Sequence, residues 1–157
     1  MQPRIDAHNA SPSAIKALYT LSAHVQSGLG LDPKLLALLE LRASQLNGCA
    51  FCIDMHSKDA RALGESEQRL YALNAWRETP FFSERERAAL EWTEAVTNIQ
   101  EGHVPADVFE RARKHFSDGE LVNLTLAIAV INSWNRMGIA LRAVPGTYQP
   151  TVTRKSA

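Results

Sequence analysis

Cys49, Cys52 and His56 are the residues of this chain whose types and spacing suit joint chemistry. On an ideal helix Cys52 lies about 60° from Cys49 and His56 about 40° from Cys52, so all three side chains share one narrow face. Cα atoms three residues apart in a helix are about 5 Å distant, inside the disulfide range, so two sulfurs so placed can join and part with modest local adjustment. A cysteine in a first helical turn meets the positive end of the helix dipole, and a histidine can accept the thiol proton or, once protonated, hold the thiolate. A thiol with a pKa near 8.5 is only about 3% thiolate at pH 7, whereas one near 6 is roughly 90% thiolate. Asp54 and Glu40 oppose this shift if close and unpaired. A carboxylate beside His56 would instead orient the imidazole and raise its basicity, and Glu40, on the preceding helix, is the candidate.

Two other readings of these residues stand beside the redox one. A cysteine pair can be two small buried hydrophobes. Two cysteines, one histidine and Glu40 also make four zinc ligands, although structural zinc usually draws on two separated knuckles and one helix face offers poor tetrahedral geometry. No resident metal and no cofactor are expected.

The elements that must position these side chains are helical, because nearly every punctuation mark is a helix cap and no segment alternates as a strand does. The expected fold is all-α. Ser11-Pro12 opens a first helix with the stripe Ile15, Leu18, Leu21 and Val25, and Asp32-Pro33 opens a second. Asn47-Gly48 breaks that helix, and the cysteines follow in the first turn of the next, which stops at Leu63-Gly64. Ser66 caps a helix that ends before Thr79-Pro80. Ser83 to Glu86 forms a capping box for a helix through Leu90, Trp92, Val96 and Ile99, and a short helix follows Pro105. Ser117 to Glu120 is a second box, and the helix it starts, through Met137, is apolar on almost every side. Such a helix must be buried all round, at the centre of a bundle or between subunits, so a homo-oligomer is expected. The expected organisation is a tail over 1–10, one helical domain over 11–142 and a polar tail over 143–157, mobile or laid over a neighbour.

The 157 residues carry 17 Lys and Arg against 17 Asp and Glu, so the net field gives no reason to expect a nucleic-acid or anionic-membrane partner. The longest apolar run, Leu124 to Ile131, is too short to span a bilayer, and the N-terminus has no apolar signal core. No membrane association and a cytoplasmic location are expected, where two lone cysteines read as redox or metal chemistry rather than a structural framework. His24, His103 and His115 are assigned no role, and Trp76, Trp92 and Trp134 fall at core spacing.

The run from Glu40 through Asn47-Gly48-Cys49-Ala50-Phe51-Cys52 to His56 closely resembles the core of the AhpD-like alkylhydroperoxidases, within the carboxymuconolactone decarboxylase superfamily. The likeness continues through Ala72 to Arg77, Phe82 to Leu90 and Trp134-Asn135-Arg136, so it covers most of the chain from about Asp32 to Leu141. The resemblance implies an all-helical multi-helix bundle, usually a trimer or hexamer, that reduces peroxides and is regenerated by a dithiol reductant. By position it implies that Cys52 is the peroxidatic cysteine, Cys49 the resolving one and His56 the general base of a proton relay. The best-described AhpD proteins place the relay glutamate twelve residues before the first cysteine, where this chain has Ala37; Glu40 lies nine before, about one turn away. The alternative function is thiol-disulfide exchange, or a redox-responsive binding protein, using the same pair. The decarboxylase branch of the superfamily does not depend on paired cysteines.

Overall fold

The computed structural model describes residues 2–150, and these are all-helical, with no strand among them. Helices α1 (Ala7–Ala10), α2 (Pro12–Gly28), α3 (Pro33–Asn47) and α4 (Ala50–Ala62) come first. Then follow α5 (Glu67–Ala72), a 3-10 helix (Leu73–Glu78), α6 (Glu84–Thr97), α7 (Ala106–Arg113) and α8 (Asp118–Leu141). The last residues of the expected C-terminal tail, 151–157, lie outside the described residues.

Helix α3 is the central element. Leu35, Leu36, Ala37, Leu38, Leu39, Leu41 and Ala43 are all buried, more of its circumference than a single apolar stripe would cover. Three packed clusters use its different sides. Leu35 and Leu39 meet Ala89, Trp92, Phe116, Leu124 and Ile128 of the α6 to α8 region. Leu38 and Leu41 meet Ala60, Leu73, Trp76 and Leu90, and Leu36 meets Val25, Ala127 and Val130.

Local chemistry starts and stops these helices where the sequence signals them. Asp32 accepts a hydrogen bond from the Leu35 N–H at 2.8 Å, and Gly48 ends α3 in the left-handed conformation at φ 69°. Both capping boxes, Ser83 with Glu86 and Ser117 with Glu120, are formed reciprocally.

Several expectations are corrected. The Ser11 side chain makes no capping bond; Asp6 instead caps a one-turn helix, α1, within the segment read as a tail. Leu21 and Ile99 are exposed, the latter because α6 ends at Thr97. Helix α8 is not buried all round: Val122 is 67% and Ile139 46% exposed. Its 24 residues are long and apolar enough by length and composition to cross a membrane, yet here one side packs into the core through Leu124, Ile128 and Ile131.

Both ends of the described chain are tied to the bundle. The Arg4 N–H donates to the Leu141 carbonyl at 2.9 Å and its guanidinium to the Ala140 carbonyl at 3.1 Å, neutralising the C-terminal end of α8. Residues 143–150 lie across α4 of the same chain. The Gly146 N–H donates to Asp54 Oδ2 at 3.0 Å, Lys58 Nζ donates to the Tyr148 carbonyl at 3.1 Å, and the Tyr148 hydroxyl donates to Asp59 Oδ1 at 2.6 Å.

Candidate active site

Cys49 is the N-cap of α4, delivered there by the left-handed turn at Gly48. Its Sγ accepts from the Cys52 N–H at 3.3 Å, so a sulfur serves where serine or aspartate usually does. The two cysteines are joined as a disulfide, their Cα atoms 5.3 Å apart, and both are buried. One turn further along α4, His56 is 6% exposed.

Packing of α4 on α3 brings Glu40 to that histidine, with His56 Nδ1 3.4 Å from Glu40 Oε2. The other carboxylate oxygen, Oε1, accepts from the Gln26 amide of α2 at 2.8 Å. Burial pushes the Glu40 carboxyl up to about 7, against the pull of the Gln26 bond and with a further push from the Asp59 charge. Burial pushes His56 down to about 4. Each group resists charge, so between about pH 4 and pH 7 both are neutral, and above about pH 7 Glu40 is ionised beside a neutral imidazole. With Glu40 ionised, a proton on Nδ1 faces Oε2 and leaves Nε2 as the lone-pair acceptor. His56 Nε2 is buried and has no hydrogen-bond partner.

Cys52, His56 and Glu40 line one cavity of about 850 Å³, whereas Cys49 does not reach it. Its wall is mostly apolar, with Phe51 and Met55 from α4, Tyr19 from α2, and Trp134 and Met137 from α8. Residues of the N-terminal segment and Tyr148 of the C-terminal one complete it. The structure therefore gathers Cys52, Cys49, His56 and Glu40, all four residues singled out by type and spacing. His24, His103 and His115 are not among the cavity residues. Among the described residues no three His, Cys, Asp or Glu side chains cluster as metal ligands would.

Three neighbours were missed. Gln26 and Asp59 carry no local signal, since one is a surface glutamine and the other one acidic residue among many. Gly138 did carry one, as an isolated glycine inside an apolar helix, which often marks close packing. A Cβ there would lie 3.1 Å from Cys49 Sγ and 3.5 Å from Cys52 Sγ, so α8 rests directly on the sulfur pair. In the Trp134-Asn135-Arg136 run, Trp134 and Asn135 form a polar clamp between helices, whereas Arg136 bonds Asn132 within α8. Buried Asn135 accepts from Asn47 Nδ2 at 2.9 Å and donates to Ser44 Oγ at 3.1 Å, while the Trp134 indole N–H donates to Ser22 Oγ at 2.6 Å.

An all-helical AhpD-like fold with a paired-cysteine helix at its centre is thus the class this chain presents. Residues 12–95 match the carboxymuconolactone decarboxylase family, and the chain belongs to that family. The uncharacterized protein YdfG of Bacillus subtilis (strain 168) is 41% identical over 141 residues, spanning 90% of this chain and 95% of the relative. A crystal structure of an Agrobacterium tumefaciens protein of unknown function, suggested to be an AhpD antioxidant defence protein, is 47% identical with a TM-score of 0.90, covering 94% of this chain and all (100%) of that one. An uncharacterized peroxidase-related protein from Ralstonia eutropha JMP134, with an alkylhydroperoxidase AhpD core, shares the fold at a TM-score of 0.79 and 20% identity, over 92% of this chain and 77% of its own.

Proposed function

We propose that this protein is a thiol-dependent peroxidase that reduces hydrogen peroxide or organic hydroperoxides through a Cys49/Cys52 dithiol-disulfide cycle. The observation that carries the reading is the asymmetry of the pair: Cys52 opens on the cavity beside His56 and Glu40, and Cys49 sits behind it. In the reduced protein His56 Nε2 takes the Cys52 thiol proton, with Glu40 holding the opposite ring edge. The thiolate attacks the distal peroxide oxygen, the O–O bond breaks, and the departing alkoxide or hydroxide leaves with the proton from His56. Cys52 is now a sulfenic acid. The Cys49 sulfur displaces its hydroxyl, which departs as water, and the disulfide forms. An external dithiol then supplies the two electrons and two protons that reopen the bond.

The Agrobacterium relative, suggested to serve antioxidant defence, supports this direction. Burial of both sulfurs, with Cys52 reached from a cavity, favours a small oxidant over the alternative, exchange with a protein disulfide. Assembly into a trimer or hexamer belongs to the same reading, supported by the exposed apolar Val122 and Ile139 on α8. Cytoplasmic residence is consistent with a pair that must be re-reduced after each turnover.

The test is an intact-mass and free-thiol count on reduced protein before and after one equivalent of hydrogen peroxide or cumene hydroperoxide. Loss of both thiols in the native chain, a trapped sulfenate in Cys49→Ser and no peroxide consumption by Cys52→Ser are expected. Thiols that stay reduced for many minutes, or full dithiol-dependent turnover in either variant, would rule the reading out.

A further inference from the structure

Glu40 is held at both oxygens, by His56 Nδ1 at 3.4 Å on one side and by Gln26 Nε2 at 2.8 Å on the other. We propose that Gln26 is a positioning residue of this centre: its amide fixes the Glu40 carboxylate toward His56 and thereby sets the pH above which Cys52 gives up its proton. The proposal rests on the assignment of Cys52 and His56 made above.

Charge and direction both favour this role. Glu40 faces a cavity that also receives His56 and Asp59 from α4, Tyr19 from α2, Asp6 and His8 from the N-terminal segment, and Tyr148 from the C-terminal one. Asp59 pushes the Glu40 carboxyl toward its protonated form, and the Tyr148 hydroxyl is committed to Asp59 rather than to Glu40. Among the described residues Gln26 is the side chain that donates a hydrogen bond to this carboxylate, and a bond to the ionised form favours ionisation. A glutamine suits the place. A lysine or arginine would neutralise Glu40 outright and remove its hold on Nδ1–H, whereas a neutral amide stabilises the anion and leaves its charge for His56.

Geometry adds a second reason. A carboxylate free to rotate can present either oxygen to His56 or turn into the cavity, and anchoring Oε1 leaves Oε2 facing Nδ1. Gln26 is itself exposed on α2, so it can be replaced without opening a hole in the core.

The experiment follows alkylation of Cys52 by iodoacetamide against pH in full-length protein carrying Cys49→Ser, which leaves a single thiol. Gln26→Met keeps the length without the donor, Gln26→Glu adds a like charge, and Asp59→Asn removes one. Gln26→Met is expected to move the midpoint up by ~0.5 pH units, roughly threefold slower alkylation near pH 7, with the high-pH plateau unchanged. Gln26→Glu should move it further up and Asp59→Asn down. Superimposed profiles for the glutamine and methionine forms, or a lowered plateau with an unmoved midpoint, would overturn the proposal, the latter marking a purely structural role. The readout needs no peroxide. A protein that shows these shifts yet fails to reduce any peroxide would retain the Gln26 assignment and lose the peroxidase one.

Discussion

Gly138 and Cys49 meet so closely at the junction of α8 with α4 that a Cβ on residue 138 would stand 3.1 Å from Cys49 Sγ, with Cys52 Sγ at 3.5 Å. Both sulfurs are tied to each other and to α4, so neither can swing aside as the tip of a flexible side chain would. Gly138→Ala should therefore carry an overpacking cost toward the upper part of the usual 1–3 kcal/mol range, and after the ~1 kcal/mol that alanine gains over glycine in a helix a net loss of about 1–2 kcal/mol remains. Thermal melts of oxidised protein check this, and a variant as stable as the parent would mean that α8 has room to shift.

Opposed titrations of Glu40 and His56 give the stability curve a definite shape. Glu40 sits at about 7 in the fold against an ordinary 4.5, so its contribution is complete below about 4.5 and lost as the pH rises through about 7. His56 is held at about 4 against 6.5, so its contribution is complete above about 6.5 and lost as the pH falls through about 4. Between these limits the slopes oppose, and the parent protein should change little from pH 8 to pH 5. Glu40→Gln keeps only the histidine slope and should lose about 2 kcal/mol over that interval in urea unfolding. Parallel curves for the two proteins would contradict the assignment.

Tyr148 anchors the C-terminal segment to α4 through Asp59, and burial, with the Asp59 bond, pushes its hydroxyl up to about 12. Tyr148→Phe removes that bond while keeping the ring in the cavity wall, at a cost of about 1–2 kcal/mol to docking of the segment. Hydrogen exchange at the Gly146 amide, which bonds Asp54, should accelerate by an order of magnitude. Unchanged protection would show that Lys58 and Asp54 hold the segment by themselves.

Asn135 is fully buried between α3 and α8 and is bonded to Asn47 and Ser44. Asn135→Ala removes one bond from each partner, although Asn47 keeps the Ala43 carbonyl and Asn132 Oδ1 and Ser44 keeps the Glu40 carbonyl, and should cost roughly 1–2 kcal/mol, visible as a lower urea midpoint. A loss under about 0.5 kcal/mol would indicate that water takes the vacated place.

Much of this architecture is written locally. Ser83 with Glu86, Ser117 with Glu120, Asp32 before Pro33, and Gly48 each act within a turn of themselves, so their effect is readable without the fold. Cys49, Cys52 and His56 are legible for the same reason, since one helix fixes their relation. Glu40 was a candidate only, because its contact with His56 exists once α4 packs on α3. Gln26 and Tyr148 reach the centre from other elements, and no periodicity along their own segments announces a partner there. The misjudged burial of α8 has a related cause: a helix apolar on every side tells nothing about which side its own chain will cover, and Val122 and Ile139 lie on the uncovered one.

The cavity is walled in part by the first and the last described stretches of the chain, tied down by Arg4 at the end of α8 and by Tyr148 on α4. Glu40, the cysteine pair and His56 form by contrast one uninterrupted block in the interior of the sequence, which Gln26 joins from α2. Part of the cavity wall and most of the reactive centre are therefore written in separate passages. Exchanging the termini would recut the lock and leave the spring untouched, and a ribosome reaching Tyr148 completes the chamber only after the sulfur helix has long been made.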